Sequence, residues 1–141
     1  RGPRAVSMRI LGVDYGTKKI GLAFGDASVG IAVPLEVIPN RGDDQAIKSL
    51  AIRVQHEDIE MIVIGVPLSS GNRHGLEQLE KTRAFVAKLE AAIKIPVVEE
   101  DEANTTQEAI RLQREEGAEA EEDALAAMLV VQQYLNRLDK N

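Results

Sequence analysis

The chain has 141 residues, a net charge of −6, 44% hydrophobic but only 3% aromatic residues, and no cysteine. That length builds one domain with a sizeable aliphatic core and is too short for two. Disulfides, thiolate ligands and a thiol nucleophile are excluded, and His56 and His74 are too few for a multi-histidine zinc site, which leaves carboxylate oxygens, suited to Mg²⁺ or Mn²⁺, for any metal chemistry.

Residues 1–7 precede Met8 and read as a tag or non-native leader, so the domain is expected to span 8–141. No apolar run reaches membrane-spanning length and no signal-peptide core is visible. A cytoplasmic protein is the simplest expectation. Met8 to Asp14 is strand-like, and Lys19 to Asp26 is a second strand after a YGTK turn. Ile31 to Ile38 is a third, where Pro34 predicts an edge position or a bulge. Short connections make these three an antiparallel meander.

Ile47, Leu50, Ala51 and Val54 recur at helical spacing. Met61 to Val66 is a continuous apolar run, the mark of a strand buried on both faces. After a polar SSGNRHG loop, Leu76, Leu79, Val86, Leu89 and Ile93 predict the next helix. Ile95 to Val98 is a short strand running into acids at 99 to 102. Thr105 and Glu108 form a capping box for a helix ending near Gly117. The last helix, 120 to 138, is apolar nearly all round in ALAAMLVV and is therefore buried. A meander followed by alternating helices and strands gives an α/β domain with a mixed five-stranded sheet.

Three acidic positions stand out. Asp14 ends the first strand, in ILGVDYGTKKIGLAFGD, and a charge there costs several kcal/mol unless a partner such as a cation compensates it. Asp101 and Glu102 follow the last strand. Asp123 opens the buried helix on the face of Ala127, Val130, Val131 and Tyr134, and so is expected to face the sheet. Each alone has an ordinary explanation as a turn acid, a solvated charge or a first-turn helix acid. Lys18 and Lys19, in the turn beside Asp14, and Arg73, in the loop after the central strand, are candidate phosphate contacts. The net charge argues against nucleic acid, but the acids crowd into Val97 to Ala126, where Arg111 and Arg114 are the counter-charges.

Four segments together resemble the YqgF/RuvX family of the RNase H-like superfamily: VDYGTKKIGLAFGD (13–26), VIGVPLSSGN (63–72), DEANTTQEA (101–109) and EDALAAMLVVQQYL (122–135). They come in the family's order and cover nearly everything after Met8. The resemblance implies an RNase H-like fold and metal-dependent phosphodiester hydrolysis in maturation of the small-subunit ribosomal RNA precursor. Holliday-junction resolution is an alternative. It implies Asp14, Glu102 and Asp123 as catalytic residues, with Asp14, Asp101 or Glu102, and Asp123 holding Mg²⁺ or Mn²⁺. Partners would be precursor RNA or branched DNA, with ribosomal proteins also possible, and the protein a monomer or homodimer.

Two departures stand out. The family's D-E-R-L reads Asp101-Glu102-Ala103-Asn104 here, which removes an arginine, and an often basic segment reads REEGAEAEED. Loss of basic charge predicts weak affinity for bare nucleic acid. A non-catalytic RNase H-like binding module is therefore carried as a second reading. A nucleotide-binding ATPase half ranks last, because such proteins need two domains.

Overall fold

A run such as MIVIGV has no polar side to turn toward water and settles where both faces are covered. In the computed structural model, which describes residues 8–68, 73–102 and 121–139, that run is β4 (Met61–Val66). It lies inside a five-stranded sheet of order β3-β2-β1-β4-β5. The antiparallel meander is β1 (Arg9–Tyr15), β2 (Lys19–Asp26) and β3 (Ile31–Pro39). β4 pairs parallel with β1, and β5 (Val97–Asp101) parallel with β4. Among the described residues three helices flank the sheet: α1 (Asp43–His56), α2 (Arg73–Ala92) and α3 (Glu122–Asp139). The mixed α/β architecture expected from the pattern is the one observed.

Alternation along each strand sorts side chains between two cores. Leu11 and Val13 of β1 and Ile62 and Ile64 of β4 join Leu50 of α1 and Phe85 of α2 on one face. Ile10 and Val63 point the other way, onto Val130, Val131, Tyr134 and Leu135 of α3. On this second face the sheet is paved with glycine. A Cβ on Gly25 would lie 2.5 Å from Val131 Cγ1, and one on Gly65 2.9 Å from Val130 Cγ2. The helix therefore lies almost directly on the strand backbones. Gln132 ties it to the sheet edge, accepting the Ala32 N–H at 3.0 Å and donating to the Gly30 carbonyl at 2.9 Å.

Three details refine the sequence pattern. Pro34 marks both of the features expected of it: β3 is an edge strand, and its register with β2 shifts between Leu22 and Ala23, opposite Glu36 and Pro34. Leu76 does not belong to the buried stripe of α2; it is 52% exposed, and Gly75 and Thr82 are buried instead. The last strand begins two residues later than Ile95 and takes in three of the acids, ending at Asp101. The capping box at Thr105 and Glu108, with its helix to Gly117, lies outside the described residues.

Candidate active site

The register that buries Ile10 against α3 also fixes where the acids point. Asp14 shares strand parity with Ile10 and Gly12, so it emerges on the α3 face at the end of β1. In β5, Glu99 turns toward α2 and meets Arg83 at 3.1 Å, which puts Asp101 on that same face. Glu102, the next residue, lies on the opposite face: its Oε2 would be 3.2 Å, and its Cβ 3.5 Å, from a Cβ on Gly65. Asp123 occupies the first turn of α3, where its backbone carbonyl sits against Gly21 of β2, the strand partner of Asp14. Of the acids singled out in the sequence, Asp14, Glu102 and Asp123 converge and Asp101 faces away.

Their proximity has an electrostatic consequence. The Asp14 carboxyl is raised from 3.8 to about 7, first by burial, then by the charge of Glu102 and then by that of Asp123. Glu102 is also raised, by burial and by its neighbour Asp101. Repulsion and desolvation act in the same direction here, toward keeping a proton on Asp14. A donor set of carboxylate oxygens alone, with charge in excess, fits a hard divalent cation. Among the described residues these side chains are coupled without closing into a three-donor cage.

The turn from β1 to β2 is pinned from outside. Gly16 has no room for a Cβ, which would fall 2.5 Å from the Lys19 carbonyl. Asn40, just past β3, donates its side-chain amide to the Gly16 carbonyl at 2.8 Å and its backbone N–H to Lys18 at 2.9 Å. Tyr15 stacks on Phe85 with ring centroids 4.4 Å apart and donates its hydroxyl to Asp43 at 2.9 Å. Burial and that hydrogen bond hold its phenol above the ordinary value. Lys18 and Lys19 are exposed on this braced turn, next to Asp14. Arg73 is not in a loop. It is the first residue of α2, 94% exposed and paired with Glu77 at 3.7 Å, one turn along the helix; His74 is likewise in that first turn.

One cluster escaped the sequence reading. Glu100 is buried beneath α3, with Oε2 accepting from Gln133 at 2.6 Å and from Arg137 at 3.0 Å. Its Oε1 is 2.7 Å from Arg137 Nη2, an ion-pair contact off the hydrogen-bond direction. The available signal was parity: Val98, Glu100 and Glu102 alternate toward one face once the strand is extended through the acids.

The fold that positions these acids is shared with solved Holliday junction resolvases. RuvC from Thermus thermophilus, in complex with Holliday junction substrate, superimposes with a TM-score of 0.59 at 13% identity, covering 94% of this chain and 96% of that one. The fowlpox virus resolvase with junction DNA gives 0.60 at 13% identity, covering 93% and 99%. The profile of the RuvX family, described as Holliday junction resolvase, matches residues 8–137, and the chain belongs to that family. A relative from Syntrophus aciditrophicus named "Putative pre-16S rRNA nuclease" is 38% identical over 138 residues, covering 94% of this chain and 91% of its own. One from Thermoanaerobacter pseudethanolicus with the same name is 37% identical over 138 residues, covering 92% and 96%. Among the described residues no helix is long and apolar enough to cross a membrane.

Proposed function

We propose that this protein is a nuclease that hydrolyses phosphodiester bonds in the precursor of 16S ribosomal RNA, using Mg²⁺ or Mn²⁺ held by Asp14, Glu102 and Asp123. One observation carries the reading: Asp14 is half-buried and its carboxyl is raised to about 7, first by desolvation and then by the charges of Glu102 and Asp123, an arrangement that a divalent cation would stabilise. Bound there, the cation supplies Lewis acidity, lowering the pKa of an attacking water and offsetting charge on the phosphate.

The chain's own groups do the rest. Asp14 is the central ligand because both other acids act on it. Glu102 and Asp123 approach it from two different elements, so their spacing depends on how α3 lies on the sheet. Asp101 faces away and takes no ligand role in this reading. Lys18 and Lys19 contact backbone phosphate beside the scissile bond, and Arg73 does so from the start of α2. No thiol or histidine nucleophile is needed. The acidic stretch through residues 115–123 weakens binding to bare RNA, so ribosomal proteins on the precursor assist delivery.

The test is incubation of the purified protein with a pre-16S transcript and a four-way DNA junction, in Mn²⁺, in Mg²⁺ and in excess EDTA. The transcript is expected to be cut, and EDTA to reduce cleavage to background. Cutting of the junction alone would move the substrate to branched DNA, the activity in the family description. Cleavage that survives EDTA would remove the metal from the account, and no cleavage of either substrate would leave the binding-module reading in its place.

A further inference from the structure

The geometry points to Gln133 as a positioning residue that sets the place of Glu102 in the site. This inference rests on the ligand role proposed for Glu102. The side-chain amide of Gln133 makes two hydrogen bonds with one nitrogen: to Glu100 Oε2 at 2.6 Å and to the backbone carbonyl of Asp101 at 2.8 Å. That carbonyl belongs to the peptide joining Asp101 to Glu102, the point where the chain leaves β5. Gln133 therefore grips the backbone immediately before the proposed ligand.

The grip is anchored by a buried charge. The Glu100 side chain is fully buried, and Arg137, one helical turn beyond Gln133, reaches in to meet both its oxygens at 2.7 and 3.0 Å. Burying a carboxylate costs free energy that an apolar pair would not, so its place here is better explained by fixed geometry than by stability. Glu100 holds the Gln133 amide in one orientation, and the amide then holds the Asp101 carbonyl. On the far side Glu102 rests on Gly65, where a side chain would intrude. Glu102 is thus set between β4 and α3.

The same helix carries Asp123, ten residues earlier and about 15 Å along the axis. With its first turn seated on Gly21 and Gln133 fastened to the end of β5, α3 spans the site as a strut. It fixes Asp123 directly and Glu102 through the backbone. A hydrogen bond that orients a ligand from behind typically changes metal affinity or activity 10–100-fold when lost.

The test replaces Gln133 with methionine, which preserves length and removes the donor. Calorimetric titration with Mn²⁺ is expected to show affinity about 10-fold weaker than wild type. On pre-16S transcript kcat is expected to fall about 10-fold, with KM changed less than about twofold. In the metal-free protein, the Glu102 amide is expected to exchange with solvent faster. If Gln133→Met does not fold, Gln133→Asn, too short to reach both acceptors, is measured instead. Mn²⁺ affinity and kcat equal to wild type, with only the thermal midpoint lowered, would make Gln133 a structural residue and overturn the inference alone. Absence of Mn²⁺ binding by the wild type would overturn the ligand assignment and this inference with it.

Discussion

Asp14→Asn is expected to abolish cleavage while making the metal-free protein more stable at neutral pH. Removing a ligand on which two other acids converge should lower the rate at least about 100-fold, beyond the usual cost of losing an outer contact. The stability effect has the opposite sign to most substitutions at a buried polar site. In the folded protein Asp14 holds its proton up to about pH 7, against 3.8 for the ordinary carboxyl. Between those values the native state binds more protons than the unfolded chain, so stability falls as pH rises through that window. Above pH 7 the full cost of ionised Asp14 is present, and below about pH 4 none of it is. After allowance for partial solvent access, that cost is about 1–2 kcal/mol. Thermal unfolding of both proteins in EDTA from pH 4 to 8 measures it. The variant should gain on wild type as pH rises, and the difference should vanish at the acid end. A variant less stable than wild type at pH 8 would contradict the electrostatic picture.

Gly21→Ala should be the most damaging single methyl group in the molecule for the site. A Cβ at this position would overlap the backbone carbonyl oxygen of Asp123 and crowd the Ala124 nitrogen, so no rotamer change can relieve it. The first turn of α3 must lift from β2, taking Asp123 with it. Overpacking a tight contact costs about 1–3 kcal/mol, and the displaced ligand should lower cleavage by about 10-fold or more beyond any loss of folded protein. Gly42→Ala provides the contrast. Gly42 precedes α1 with φ +115, and a Cβ there would meet nothing within 4 Å. Its cost is about 1–3 kcal/mol of backbone strain, with cleavage per folded molecule unchanged. Equal activity losses in the two variants would mean that the seating of α3 does not govern the site.

The sheet was legible in the sequence for identifiable reasons, and so were the places of Asp14 and Asp123 in it and on its covering helix. MIVIGV marks an interior strand, and the charge near the end of the first strand calls for compensation, whether by a turn contact or by a cation. Helical spacing from Ala127, Val130 and Tyr134, all of which are buried, puts Asp123 on the sheet-facing side of its helix, whereas its ligand role rests on the family resemblance. The choice between Asp101 and Glu102 stayed open because it depends on strand parity, and parity depends on where the strand ends. Three consecutive acids have low strand propensity and look like a solvated run, yet they lie within β5 or at its end. Their pairing makes this possible: Arg83 meets Glu99 from α2, and Arg137 meets Glu100 from α3, 37 residues away. Such a contact has no local signature. Arg73 shows the smaller error of reading polar residues as a loop when they open a helix.

The most direct test is a crystal structure of the protein soaked in Mn²⁺, with anomalous scattering used to place the ion. A peak is expected within direct coordination distance of a carboxylate oxygen of Asp14, with Glu102 and Asp123 as its other protein ligands and Asp101 outside the coordination sphere. A peak held by Asp101 in place of Glu102, or no peak at Asp14 while Mn²⁺ supports cleavage, would contradict that expectation.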